Sequence, residues 1–247
     1  MDKFWLERTE LLIKEEGITK LQNAKVLVVG LGGVGSFAAE FLARAGIGKM
    51  IIVDGDVVDI TNINRQLPAL HSTVGQHKVD LVGNRLMDIN PKLDLTKINE
   101  FLEPERMAEI IKSEKFDYVL DCIDSLTPKI ALIIACRRSK TKLVSSMGAG
   151  GKSDPSKVLV RDIHKTNNCL LARQVRKRLK KEKIDKGFRC VFSTELQDEE
   201  SLKMTDGANF KRSFYGTISF IPALFGLYAA AEVINYLTGK EIISDAK

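Results

Sequence analysis

Three short segments hold the side chains with chemical potential. The first is Gly30-Leu31-Gly32-Gly33-Val34-Gly35, which satisfies the G-x-G-x-x-G spacing between an apolar run and a helical pattern. Glycines permit a tight turn and a close approach of backbone to phosphate. The helix start adds unpaired N–H groups and a partial positive charge. Asp54 follows 24 residues after Gly30, where an acid would accept hydrogen bonds from ribose hydroxyls. This fingerprint predicts a nucleotide and leaves NAD and ATP both open.

The second segment discriminates between them. DGDVVDITNINRQ gathers Asp54, Asp56, Asn62, Asn64, Arg65 and Gln66, and GQHK adds Lys78. A hydride-transfer site needs no such cations. Attack on a phosphoryl centre does, because Arg and Lys hold the phosphate chain and offset the charge that develops. In the third segment, DCIDS, Asp121, Asp124 and Ser125 fall at the C-terminal end of a predicted strand, where open α/β sheets bind ligands. Asp124 is a candidate Mg²⁺ ligand beside ATP phosphates, or alternatively a helix N-cap. GAGGKS, at 148–153, looks like the end of a P-loop but has Ser146 where the first glycine should stand, so it is taken as a glycine turn.

The elements that must position these residues alternate. Apolar runs at 25–30, 49–54, 95–99, 117–122 and 142–146 read as strands, with helical patterns at 36–46, 74–89, 104–113 and 128–138 between them. Near-continuously apolar strands alternating with helices predict a Rossmann-like, mostly parallel α/β sheet with helices on both faces. Beyond Gly148 come strands at 157–163 and 189–194 around a basic helix. That helix is expected to be capped by Asn167 or Asn168, with Leu171, Val175 and Leu179 as its core stripe. A polar stretch from Glu195 to Arg212 reads as a mobile crossover loop, and 214–237 as a buried or subunit-packing helix rather than a membrane span. One domain over 1–247 is expected, with 24–147 binding nucleotide and 148–247 forming the substrate and crossover side.

Composition sets limits on this. A chain of 247 residues, 44% hydrophobic and 28% charged, can bury one substantial core and is not disordered throughout. Cys122, Cys136, Cys169 and Cys190 form no C-x-x-C pair, which argues against a cystine framework and a paired-cysteine zinc site. No export signal is evident in MDKFWLERTE, so a cytoplasmic protein is expected. The net charge of +6 is unevenly spread: from Arg137 to Arg189 there are 17 basic and four acidic residues. Such a segment reads either as a solvated helix face or as a surface for a polyanion, with Arg173, Arg176, Lys177 and Lys180 as backbone-phosphate contacts in the second case. No aromatic side chain interleaves the run, so base stacking is not expected there.

In order and spacing, GLGGVGS, Asp54-x-Asp56, NINRQ, VGQHK and DCID resemble the adenylation domain of ubiquitin-activating-type enzymes, from about Arg8 to Gly239. The resemblance implies a homodimer in which ATP sits on the loop of Gly30, Gly32, Gly33 and Gly35, a carboxylate attacks the α-phosphate, and pyrophosphate leaves. It implies that Asp54 binds ribose, that Asn62, Arg65 and Lys78 contact the phosphates, and that Asp124 handles Mg²⁺ or nucleotide. Arg8 matches an arginine the family supplies across the dimer interface. Zinc is not expected, since the chain lacks the paired C-x-x-C of many sulfur-carrier-activating members, although zinc-free members exist.

Within that family, DSLTPK at 124–129, ACRR at 135–138, GAGGKSDP at 148–155 and CVFSTE at 190–195 look like the tRNA threonylcarbamoyladenosine dehydratases. Those enzymes use ATP to activate the carboxylate of a modified adenosine beside the anticodon, and then cyclise it with loss of water. This branch implies a tRNA substrate and a monovalent cation, Na⁺ or K⁺, in a carbonyl-lined loop for which the sequence offers no ligand set. It tends to have Asp-Pro before the basic helix, where this chain has Asn168-Cys169, and that puts the substrate contacts of the loop in doubt. The alternative is an adenylyltransferase for a small sulfur-carrier protein, with a cysteine-desulfurase or sulfur-carrier system as partner; an NAD-binding oxidoreductase stands third. Cys169 and Cys190 are kept as candidate thiols, while Cys122 and Cys136 are expected to pack.

Overall fold

The structure, a computed structural model, describes residues 3–204 and 213–240. Its centre is a seven-stranded sheet of β1 (Lys25–Val29), β2 (Lys49–Val53), β3 (Asp94–Ile98), β4 (Tyr118–Asp121), β5 (Leu143–Ser146), β6 (Val158–Asp162) and β7 (Arg189–Ser193). The strand order is β3-β2-β1-β4-β5-β7-β6, and every pairing is parallel except the last, where β6 runs antiparallel to β7. The doubly wound sheet predicted from the apolar runs is present.

Side-chain alternation explains why the strands are apolar throughout. Val26 and Val28 of β1, with Met50 and Ile52 of β2, enter one core; Leu27, Val29, Ile51 and Val53 enter the other. The first core is covered by α1 (Glu7–Asn23), α2 (Gly35–Arg44), α3 (Lys78–Ile89) and α7 (Phe220–Thr238). The second is covered by α4 (Pro104–Ser113), α5 (Leu126–Arg138) and α6 (Leu170–Leu179). By length and composition α7 could cross a membrane. Here it lies against α1, α2 and strands of the sheet, with Phe225, Ala229, Ala230 and Val233 sealed from solvent.

Four sequence expectations need correction. Helix α1 was not anticipated: Leu11 and Leu12 are exposed and the helix breaks at Lys14 (φ 65°), so its apolar residues follow no single face. Helix α3 begins at Lys78, because residues 71–73 form a separate 3₁₀ turn. Neither Asn167 nor Asn168 caps α6. Cys169 holds the N-cap position without a side-chain cap, and Asn168 (φ 48°) donates to the Thr194 carbonyl instead, at 3.0 Å. The crossover is also more regular than a mobile loop, for β8 (Leu202–Met204) pairs antiparallel with β9 (Ser213–Tyr215). The intervening residues 205–212 lie outside the described residues.

Candidate nucleotide and substrate site

The chain order of the strands reverses between β1 and β4, and the loops leaving their C-terminal ends lie together there. Gly30 (φ 90°) leaves β1 so close to β4 that an added Cβ would stand 2.9 Å from the Cys122 carbonyl oxygen. At the start of α2, a Cβ on Gly35 would come within 1.7 Å of the Gly30 carbonyl oxygen, so only glycine fits. These two positions close the turn, and the first N–H groups of α2 then face the crevice at the topological switch point.

Asp54, just past β2, holds the loop from the side. Its Oδ2 accepts from Leu31 N at 2.6 Å and its Oδ1 from Asp56 N at 2.8 Å. Burial pushes its carboxyl above the usual aspartate value, against the opposing pull of Lys78 and of those two backbone donors. Lys78, the first residue of α3, is buried and donates to Asp56 Oδ2 at 2.8 Å, so Asp56 and Lys78 form a pair beside the loop.

The NINRQ segment lies over the glycines. An added Cβ at Gly33 would stand 3.2 Å from the Arg65 carbonyl oxygen and 3.0 Å from Pro222 Cβ, and one at Gly32 would stand 3.5 Å from Gln66 Nε2. Arg65 donates from Nη1 to Thr61 O (2.9 Å) and Asn64 Oδ1 (2.8 Å). Burial pulls its guanidinium below the usual value, while Asp124 nearby pulls it back up. Gln66 has its Oε1 buried with no partner among the described residues, an acceptor set beside the glycine turn. Asn62 is buried, and its Oδ1 accepts from Asp59 N at 3.3 Å as half of a capping box, so its first task is to shape this turn. Asn64 donates to Thr217 O at 2.9 Å and so ties the turn to the segment before α7.

Across the crevice, Asp124 is exposed and accepts from Ser125 Oγ at 3.2 Å. The turn that carries it is fixed by a buried network that sequence reasoning missed. Lys129 of α5, fully buried, donates to Asp121 Oδ2 (2.8 Å), Ser145 Oγ (3.3 Å) and Ser146 O (2.8 Å). Asp121 also accepts from Ser145 Oγ at 2.5 Å and from Ile123 N at 3.1 Å. The only hint in the sequence is a lysine set within the apolar pattern of α5.

Other expected residues are placed apart. Arg8 is exposed on the first turn of α1, flanked by exposed Phe4, Trp5, Leu11 and Leu12, and contacts none of the site among the described residues. Arg173 and Lys177 on α6, and Lys180 just past its end, are exposed. Arg176 is not: it folds back to donate to the Thr166 carbonyl and hydroxyl, which corrects its assignment as a free phosphate contact. Burial pushes the Cys122 thiol up to about 12 and also raises those of Cys136 and Cys190 well above the usual cysteine value. With Cys169 also buried, neither Cys169 nor Cys190 offers an accessible thiol. The 148–151 turn leads into a short 3₁₀ segment rather than a long helix, as expected of a glycine turn. A cavity of about 400 Å³ between α4, α5 and α6 shares no lining residue with the glycine loop.

The ThiF family matches residues 6–246. The tRNA threonylcarbamoyladenosine dehydratase of Bacillus subtilis is 42% identical over 234 residues, which cover 92% of each chain. The crystal structure of the Escherichia coli dehydratase in complex with ATP superposes with a TM-score of 0.85 at 37% identity and covers 97% of both chains; a second, in complex with AMP, gives 0.86. The molybdopterin-synthase adenylyltransferase of Salmonella typhimurium is 38% identical, but over 130 residues, 53% of this chain.

Proposed function

The chain belongs to the ThiF family, and from that premise we propose that it is an ATP-dependent, adenylate-forming enzyme that cyclises N6-threonylcarbamoyladenosine in tRNA. The extent of similarity carries the choice of substrate. Likeness to dehydratases runs over nearly the whole chain, whereas likeness to a sulfur-carrier adenylyltransferase stops at about half.

ATP lies along the crevice between the ends of β1 and β4. Backbone N–H groups of Gly32, Gly33 and the start of α2 receive phosphate, and Asp54 accepts from ribose with the lone pairs that Leu31 and Asp56 leave unused. Gln66 Oε1, buried without a partner, accepts a donor of the nucleotide. Arg65 and the Lys78–Asp56 pair border the phosphate chain, with Asn62 and Asn64 shaping the turn beneath it. Asp124 and Ser125 suit Mg²⁺, which protein sites commonly hold with one or two carboxylates plus substrate phosphates. When bound, Mg²⁺ supplies charge neutralisation along the phosphates.

The substrate carboxylate attacks the α-phosphorus, the bond to the bridging oxygen breaks, and pyrophosphate leaves with its electron pair. The carbonyl carbon of the acyl adenylate is then attacked by the neighbouring carbamoyl group, which gives up an N–H proton to solvent, and AMP departs with the carboxylate's former oxygen. The net change in the nucleoside is the loss of one water. Holding both groups in one site makes ring closure fast without a covalent enzyme intermediate, in keeping with the burial of Cys136, Cys169 and Cys190. In this reading residues 24–147 bind nucleotide and 148–247 present the substrate, with Arg173 and Lys177 of α6 and Lys180 just past it against tRNA phosphates.

A second copy of the chain completes the site. Phe4, Trp5, Leu11 and Leu12 expose apolar surface around Arg8, which favours burial against a partner protomer. Arg8 would then reach the partner's ATP, and its loss should cost on the order of 10³ in rate if it acts as such arginines do elsewhere. Mixing Arg8→Ala with Asp124→Ala protomers should restore part of the activity; heterodimers that form and stay inactive remove this assignment. The substrate itself is tested by incubating protein, ATP, Mg²⁺ and tRNA carrying threonylcarbamoyladenosine, then measuring nucleoside mass. A loss of one water is expected. An unchanged nucleoside, with ATP–pyrophosphate exchange on a carrier protein ending in Gly-Gly, would establish the sulfur-carrier reading instead.

A further inference from the structure

Where β7 ends the chain leaves the sheet, and three successive carbonyls from Ser193 onward are met by side chains. Lys152, only 5% exposed, donates from Nζ to Ser193 O at 3.1 Å and Glu195 O at 2.9 Å. Asn168 takes the carbonyl between them, Thr194 O, at 3.0 Å. The Glu195 carboxylate turns back to accept from Ser153 N at 3.0 Å, Asp154 N at 2.9 Å and Ser153 Oγ at 3.3 Å. Lys152 and Glu195 therefore clamp the 148–154 turn to the 193–198 segment from both sides.

The clamp is continuous with the nucleotide side. Asp198 N donates to Gly151 O (2.9 Å), Gly151 N to Gly216 O (2.8 Å), and Asn64 Nδ2 to Thr217 O (2.9 Å), while Asn64 Oδ1 receives Arg65. The order of the substrate-side turn and the placement of Arg65 rest on one connected set of hydrogen bonds.

We propose that Lys152 is a tethered monovalent cation, whose ammonium holds the Ser193 and Glu195 carbonyls as a dissolved Na⁺ or K⁺ would, so that this loop is ordered without either ion. An ammonium is a compact single positive charge with three donors, suited to buried carbonyl oxygens. On this reading these two carbonyls need no dissolved cation, since they are already engaged by a charge the chain supplies. Burial pulls the Lys152 ammonium below its usual pKa, while Cys169 and Glu195 oppose that pull. Lys152 is thus a positioning residue, acting on the substrate and on Arg65 through the turn.

The inference rests on the proposed function only for its activity readout; thermal melting tests it independently of any substrate. Wild type, Lys152→Ala and Lys152→Met are compared in KCl, NaCl, NH₄Cl and choline chloride at equal ionic strength, by melting temperature and by tRNA-dependent ATP turnover. The wild type should melt and turn over alike in all four salts. Lys152→Ala in choline should melt lower and lose on the order of tenfold in turnover, the scale of a charged hydrogen bond. K⁺ or NH₄⁺ should restore both with saturation. Lys152→Met, which fills the space without charge, should show the loss and no rescue. A saturable rise in wild-type melting temperature with K⁺ or Na⁺ overturns the proposal without recourse to any variant. So does an alanine variant that matches wild type in choline, that no cation rescues, or that folds in none of the four salts. If no protein turns over tRNA while the melting pattern holds, the substrate reading fails and the tethered cation stands.

Discussion

Replacing Lys129 by methionine should be among the most destabilising single changes in this chain. Lys129 and Asp121 are both 0% exposed, and the ammonium has three oxygen partners. Methionine keeps most of the volume and removes the charge, leaving the Asp121 carboxylate buried with Ser145 Oγ and Ile123 N for company. Breaking a buried pair by removing one partner costs about 3–5 kcal/mol, against a total stability of roughly 5–15 kcal/mol. With a urea m-value of about 2–3 kcal/mol/M, the upper part of the usual range, the midpoint should fall by ~1–2 M. The double variant Lys129→Met with Asp121→Asn, which leaves no buried charge, should recover part of that loss. Urea titration of wild type, Lys129→Met, Asp121→Asn and the double variant measures it. A single-variant loss under about 1 kcal/mol would mean that the pair is solvated and that the account of the β4–β5 rim is wrong. ATP affinity should fall as well, because Asp121 holds the Ile123 amide one residue before Asp124.

Two further outcomes follow from the site. Because burial raises the Asp54 carboxyl, ATP affinity should decline on acidification at a pH above that at which an exposed aspartate protonates. The stability term has the opposite sign: with the folded pKa above the unfolded one, Asp54 contributes most below the unfolded value and loses that contribution as pH rises through the folded one. Titration calorimetry across pH reads the first, and a profile identical to that of Asp54→Asn would refute it. On α6, Arg173→Glu with Lys177→Glu should weaken tRNA binding and flatten its log–log salt slope by about two or more while sparing ATP affinity. Arg176→Ala should instead lower the melting temperature by freeing the Thr166 loop, and filter binding over a salt series together with thermal melting separates the two effects.

What the sequence revealed depended on how local the physics was. Strands β1, β2 and β4 are buried on both faces, so each reads as an unbroken apolar run that no loop imitates. The glycine turn was equally legible, because the close approach of Gly35 to Gly30 is a contact five residues apart. Helix α1 was missed since its exposed Leu11 and Leu12, and the break at Lys14, remove the periodicity that identifies a helix. The three residues of β8 are all exposed, so β8 follows from its partner strand and not from its own pattern. Lys129 and Lys152 were invisible for a different reason. A lysine is buried only where its partners are, and theirs stand 8 to 43 residues away in sequence. Arg176 resembled its neighbours on a basic face, and only the fold of the Thr166 loop sets it apart.

Adenylation can activate any carboxylate, so the choice of substrate has to be made outside the phosphate-binding turns and then communicated to them. In the proposed division of the fold the five strands β3-β2-β1-β4-β5 form the nucleotide half, and the addition of β7 and β6 beyond β5 joins the chain past Ser193 to the 148–154 turn. The same segment, continued through β9 to Thr217, meets Asn64. Asn64 thus spends its amide N–H on the substrate half and its carbonyl on Arg65. A residue picked from its motif for the nucleotide segment thus links, on the proposed division, the half that would select the carboxylate to the half that would activate it. A substitution there should disturb the coupling of the two halves more than the affinity of either, because neither the glycine loop nor α6 depends on Asn64 for its own shape.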